Sequence, residues 1–393
     1  MKIACLLITH LAMKSEFTRF PELQNRPVII TQSHGSRQTV LDRSQEANGV
    51  TEGMSVQEAL SCCKSATLLE ADHPYYEETF NSMLDAVEQR SPEIERGPLG
   101  CAYIGIDGLE MMYGGEARLI TSLIHAIPNN FTPRLGLASG KFPAYIAAIS
   151  TKGGQATKVP NDIAAFLKRF SIDLLPLSWN DKVRLHNFSI HTLGDLSNLS
   201  IGAVQAQFGS LGKIAWELSR GIDPSPLIPK PKEESIKEAL TFPSPVITQG
   251  AILAAVEILI TRAFLRPEVR GKNIRGITLK SNVIRHPTWQ KQFTFKDPTS
   301  NVKKAYQIIK TTFENIKIPG PLEDITLSIA GLSGESGIQT SLFTDIRKRA
   351  QLREMMNHLE SQLGHKPPIY QVKDIEPWSR TPERRQVLTT FEP

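Results

Sequence analysis

Gly136-Leu-Ala-Ser-Gly-Lys141-Phe-Pro-Ala-Tyr-Ile-Ala-Ala148, preceded by Arg134-Leu135 and followed by Lys152, joins a strand to a helix across a short polar turn. Arg134 to Ala138 reads as a buried strand, and Phe142 to Ser150 repeats apolar residues at helical intervals. Working outward, residues 1–8 and Arg26-Pro-Val-Ile-Ile30 read as further strands. Ala12 to Phe20, Val56 to Cys62 and Tyr75 to Gln89 have helical spacing. Leu99 to Met112 reads as a strand pair bent at Gly105 and Gly108. Strands alternating with helices over the first 160 residues imply a mixed sheet with covering helices.

The pattern then changes. Residues Asp162–Phe170, Asp181–Asn187, Thr192–Leu199, Ile201–Phe208 and Leu211–Arg220 read as short helices, and Pro224 to Glu234 carries four prolines, a linker composition. From 235 to 335 the order is strand, helix, strand, strand, helix, strand, a split-βαβ unit. A polar helix from Thr344 to Gln362 and an extended tail are expected beyond it.

Length and charge bound the function. A chain of 393 residues exceeds a single core and implies two to four domains. The four cysteines form no CxxC pair, which gives no support to a disulfide framework or a structural zinc site. No apolar run approaches the length of a bilayer span, so no membrane partner is expected and the cytoplasm is the expected compartment. Residues 1–120 carry 10 basic against 17 acidic side chains, a net of −7. Residues 251–310 carry 12 basic against 3 acidic, a net of +9, the footprint of a phosphate-backbone partner.

In order along the chain, Gly49-Val50 with Gly53-Met54, the Gly136–Ala148 segment, Thr192-Leu-Gly-Asp195 and Ser219-Arg-Gly-Ile-Asp223 resemble motifs of the Y-family translesion DNA polymerases. Gly140 departs from that family's usual Asn. The resemblance implies an α+β multidomain right hand. Its palm would span residues 1–25 and 75–160, fingers 26–74, and a helical thumb 161–228 with a degenerate helix-hairpin-helix. A linker (229–238), a split-βαβ little finger (239–335) and a clamp-binding motif with C-terminal tail (336–393) would follow.

The family's chemistry uses two divalent ions clamped by carboxylates on neighbouring strand ends. Aligning the first motif on Glu16 puts Leu7 at the first metal-binding position and Ala12 at the aromatic position that excludes ribonucleotides. Gly100 and Cys101 fall on the adjacent Asp-Glu pair. The finger segment Arg43–Asn48 offers no Tyr and a single Arg, leaving Lys141 and Lys152 as phosphate-type contacts. No catalytic residue, metal or cofactor is therefore expected. The absence matches the ImuB-like branch, whose members resemble inactive homologues that accompany a separate active polymerase. The alternative is an active enzyme holding Mg2+ through unorthodox ligands such as Asp107 and Glu110.

DNA contacts are expected from Arg270, Lys272, Arg275, Lys280, Arg285, Lys291 and Lys296. Gln339-Thr-Ser-Leu342-Phe343 resembles the bacterial sliding-clamp peptide, in which Gln anchors the start and a Leu-Phe pair fills an apolar pocket. Damaged or primer–template DNA, a sliding clamp and a partner polymerase are thus the expected partners.

Overall fold

The computed structural model describes residues 2–35, 37–229, 236–313, 316–333 and 368–390, with residues 352 and 356. It divides into two compact units, one ending at Leu332 and one comprising the remainder.

The first unit is organised on β1 (Ile3–Leu7), five apolar residues in a row, as a strand covered on both faces requires. After β1 come α1 (Leu11–Arg19) and a small three-stranded sheet, formed by β2 (Val28–His34), β3 (Arg37–Arg43) and β4 (Thr67–Glu70). Within the latter lies α2 (Val56–Cys62), which opens on a Ser55–Glu58 capping box. The chain then returns through α3 (His73–Glu88), β5 (Ile94–Arg96), β6 (Cys101–Gly105), α4 (Leu109–Met112), α5 (Glu116–His125), β7 (Arg134–Ala138), α6 (Lys141–Ser150) and β8 (Ala156–Lys158).

The large sheet has the order β5-β6-β1-β7-β8, with β1 antiparallel to both neighbours. Alternation sends Ala4 and Leu6 to a core shared with Tyr76, Phe80, Leu119 and Leu123. Ile3, Cys5 and Leu7 face the other way, toward Cys101, Ala144 and Ala148. Gly136 explains why α6 can lie this close: a Cβ there would sit 2.0 Å from the Ala144 carbonyl oxygen.

Helices α7 (Ile163–Leu167), α8 (Trp179–Asn187), α9 (Leu193–Ser197) and α10 (Ile201–Ser219) close around Leu167, Ile172, Leu185, Leu193 and Leu196, joined by Phe142 and Ile146 of α6. Within α10 the backbone leaves helical geometry at Gly209 (φ 65°, ψ −150°), so the two helices expected over 201–220 are present on either side of that kink. The last block of the unit comprises β9 (Ile236–Val246), α11 (Gln249–Leu265), β10 (Asn273–Val283), β11 (His286–Thr299), α12 (Val302–Phe313) and β12 (Leu322–Ser333), in sheet order β11-β10-β12-β9. This is the expected split-βαβ arrangement, with Val256, Leu259, Ile277, Leu279, Ile309 and Phe313 in its core.

Three expectations are corrected. Leu99–Met112 is one strand followed by the short helix α4, because Gly108 (φ 78°) turns the chain into a helix start rather than a second strand. The amphipathic α5 was not read from the sequence. The tail expected to be extended contains a hairpin, β13 (Tyr370–Asp374) against β14 (Gln386–Thr390), described here as the second unit. Residues 339–343 lie outside the described residues.

Candidate catalytic cleft and nucleic-acid interface

The strand register brings together the positions where metal-binding carboxylates are expected. Leu7 pairs with Cys101 on one side and with Arg134 on the other. Gly100, immediately before β6, is locked to the end of β1: the Ile8 N–H donates to the Gly100 carbonyl at 2.8 Å. Gly100 holds φ +84°, and a Cβ built there would lie 2.6 Å from the Ile8 carbonyl oxygen. Cys101 turns its sulfur toward Cys5, with Sγ atoms 3.8 Å apart, and both thiols are buried. The neighbouring Cys101 sulfur, with burial, pushes the Cys5 thiol upward.

Arg134, the register partner of Leu7, brings positive charge here with Lys14, and Asp42 lies within electrostatic reach of Lys14. Arg134 donates from Nη1 to the Ile149 carbonyl at 3.3 Å. The Lys14 ammonium donates to the Phe131 carbonyl (2.9 Å) and to Thr132 Oγ1 (2.8 Å). Burial, with Arg134 nearby, pushes Lys14 down to about 8. Glu16, the last acid of the first motif, is a core residue that accepts from Tyr76 Oη at 2.7 Å, and burial raises its carboxyl. Ala12 is buried in the first turn of α1. Two divalent ions need several convergent anionic oxygens. Leu7, Gly100, Cys5 and Cys101 beside two cations do not fit them.

The phosphate-type lysines separate. Lys141, 13% exposed, is paired with Glu95 at 2.6 Å and lies over the Tyr103 ring at 5.8 Å. Lys152 is exposed. Glu110 pairs with Lys2 at 2.5 Å, and Asp107 lies in the turn before α4. Among the described residues, the one histidine–carboxylate group able to approach an ion is His10, Asp42 and Glu52, with ligand atoms within 4.8 Å. Asp42 is already occupied: it accepts from His10 Nδ1 (2.6 Å), Met13 N (3.0 Å) and Arg43 N (2.8 Å). It therefore ties β3 to the start of α1.

The basic residues of the last block do not share one face. Ile277 and Leu279 of β10 and Phe293 and Phe295 of β11 alternate toward the helices, which leaves Lys296 on the opposite side; Arg275, beside the irregularity between Ile274 and Gly276, is exposed. Lys291 pairs in register with Leu279 and so belongs to the helix-covered side of the edge strand. Arg285 occupies the β10–β11 turn at φ 59°, and Arg270 and Lys272 lie between α11 and β10. Lys280 forms an ion pair with Glu78 of α3. Strand alternation thus separates Lys296 from Lys291, and the expected DNA-contacting residues are spread over strands, a turn and a loop. Sequence reading missed Arg134, Lys14 and the His10–Asp42 contact. Arg134 stood in the opening segment, but its place beside Leu7 depends on strand order.

Two models of the impB/mucB/samB family match the chain, the main one over residues 9–149 and the C-terminal domain over residues 233–342. Together they cover more than half of it, and the chain belongs to this family, the Y-family of DNA polymerases. Among curated relatives, DNA polymerase IV of Dehalococcoides mccartyi strain CBDB1 is 25% identical over 84% of this chain and 85% of its own length. DNA polymerase IV of Yersinia pestis strain Pestoides F is 27% identical over 65% of this chain and 73% of its own. The crystal structure of DinB from Sulfolobus solfataricus is similar in fold (TM-score 0.52, 18% identity), spanning 84% of this chain and 99% of that one. The five-stranded sheet is accordingly a palm, and the last block of the first unit a little-finger-type domain. No helix among the described residues is long and apolar enough to cross a membrane.

Proposed function

We propose that this chain is a DNA-binding Y-family homologue without polymerase activity, an accessory factor of translesion synthesis in the manner of the ImuB-like branch. It would grip primer–template or damaged DNA through its exposed basic residues and dock on a sliding clamp through Gln339, Leu342 and Phe343. A separate active polymerase would carry out the synthesis. One observation carries the reading: where phosphodiester chemistry needs anions, the palm presents Leu7, Gly100 and Cys101, and Gly100 has no room for a side chain. Without metals, the electrostatic stabilisation that underlies such catalysis has no source.

The curated relatives named DNA polymerase IV favour a second reading, an active enzyme with unorthodox ligands. Primer extension with Mg2+ or Mn2+ decides between them. The first reading expects no incorporation above a no-enzyme control. Incorporation that survives purification and disappears in Asp107→Ala establishes the second.

A further inference from the structure

The little finger is seated against the start of α3 through a buried carboxylate. Asp72, 1% exposed, receives the Tyr75 N–H at the start of α3 (3.1 Å) and pairs with Arg19 Nη1 (2.9 Å). It also accepts twice from one residue of β11: Thr288 N at 2.8 Å and Thr288 Oγ1 at 2.6 Å. Thr288 is itself only 6% exposed. Further along α3, Glu78 pairs with Lys280 of β10, whose ammonium also donates to the Pro74 carbonyl at 3.2 Å.

A buried carboxylate is costly unless its oxygens are satisfied, and hydrogen bonds to a charged group are the strong ones. Asp72 Oδ2 takes Arg19 and both Thr288 donors, so undocking the little finger removes two of its three partners. The covalent connection to this domain runs through Pro224, Pro226, Pro229 and Pro231.

We propose that Asp72 and Thr288 form a clasp that positions the little finger for DNA, and that Lys280 belongs to this clasp rather than to the phosphate contacts. The proposal rests on the DNA-binding reading above. Pre-seating a domain raises affinity by lowering the cost of ordering it, without adding a phosphate contact. A clasp residue therefore shifts affinity equally at all salt concentrations, whereas a phosphate contact changes the slope of log K against log salt.

The test titrates labelled primer–template with the full chain across a salt series, using Thr288→Val, Thr288→Ser, Lys280→Gln and, as the phosphate-contact comparison, Arg275→Gln. Thr288→Val is expected to bind about tenfold more weakly, on a line parallel to the unaltered chain. Thr288→Ser restores affinity, Lys280→Gln runs parallel to the unaltered chain, and Arg275→Gln lowers the slope by about 1. Unchanged affinity of Thr288→Val overturns the clasp. So does failure of Thr288→Ser to restore binding, which assigns the effect to lost packing, and so does a flattened slope for Lys280→Gln. If the unaltered chain does not bind duplex at all, the DNA-binding reading falls and the clasp with it, an outcome distinct from the other three.

Discussion

Gly100→Ala isolates the steric part of the case against catalysis. The residue sits at φ +84°, a backbone region that costs an L-residue about 1–2 kcal/mol relative to glycine. The new Cβ meets the Ile8 carbonyl oxygen at 2.6 Å. That carbonyl cannot swing freely, because the neighbouring Ile8 N–H is bonded to Gly100 itself at 2.8 Å and Leu7 is paired on both sides. Relief therefore requires shifting the end of β1 against β6, an overpacking cost of about 1–3 kcal/mol. The two contributions together predict a loss of about 2–5 kcal/mol, read as a lower urea midpoint with an unchanged m-value. Gly100→Asp should lose at least as much, since its carboxylate enters a pocket bounded by Leu11 and strand backbone. The triple replacement Leu7→Asp/Gly100→Asp/Cys101→Glu should still fail to extend a primer. A Gly100→Ala protein within about 0.5 kcal/mol of the unaltered chain would refute the reasoning. So would a triple variant that polymerises.

Other measurements test the rest. Arg275→Gln/Lys296→Gln, both exposed on the little-finger sheet, should flatten the salt dependence of duplex binding by about 2, whereas Lys291→Gln, on the helix-covered side, should change it less. Leu342→Ala/Phe343→Ala should abolish recovery of the chain on immobilised sliding clamp; equal recovery removes that partner. His10 is raised by its contact with Asp42, so the pair's stabilisation is complete below the unfolded value of 6.5 and fades as pH rises through the raised folded value. The stability gap between the unaltered chain and His10→Asn, which tolerates the left-handed φ of 52°, should accordingly shrink from about pH 6 toward pH 9 in urea titrations. A pH-independent gap would exclude the ionic contact.

The palm's middle strands and the split-βαβ block were legible because each depends on local pattern. The Ile3–Leu7 run has the uninterrupted apolar character of a doubly covered strand, and the helices of the last block repeat at helical intervals. Other parts were not. The strand β3 carries the polar string Arg37–Arg43, whose burial comes from sheet partners and not from its own alternation. The final hairpin is stitched by residues twelve to twenty apart, from Asp374 and Gln386 flanking its loop to Tyr370 and Thr390 at its open end, too far for a turn signal.

Alone, the amino-acid order determined that the first strand is an apolar run without a carboxylate, because that is a property of residue identity. It also fixed the excess of lysine and arginine after residue 250. Tertiary structure decided what those facts mean in space. Only strand register sets Arg134 beside Leu7, only sheet alternation separates Lys296 from Lys291, and only domain docking brings Thr288 to Asp72. Such contacts join residues up to more than two hundred positions apart, and no local propensity encodes them.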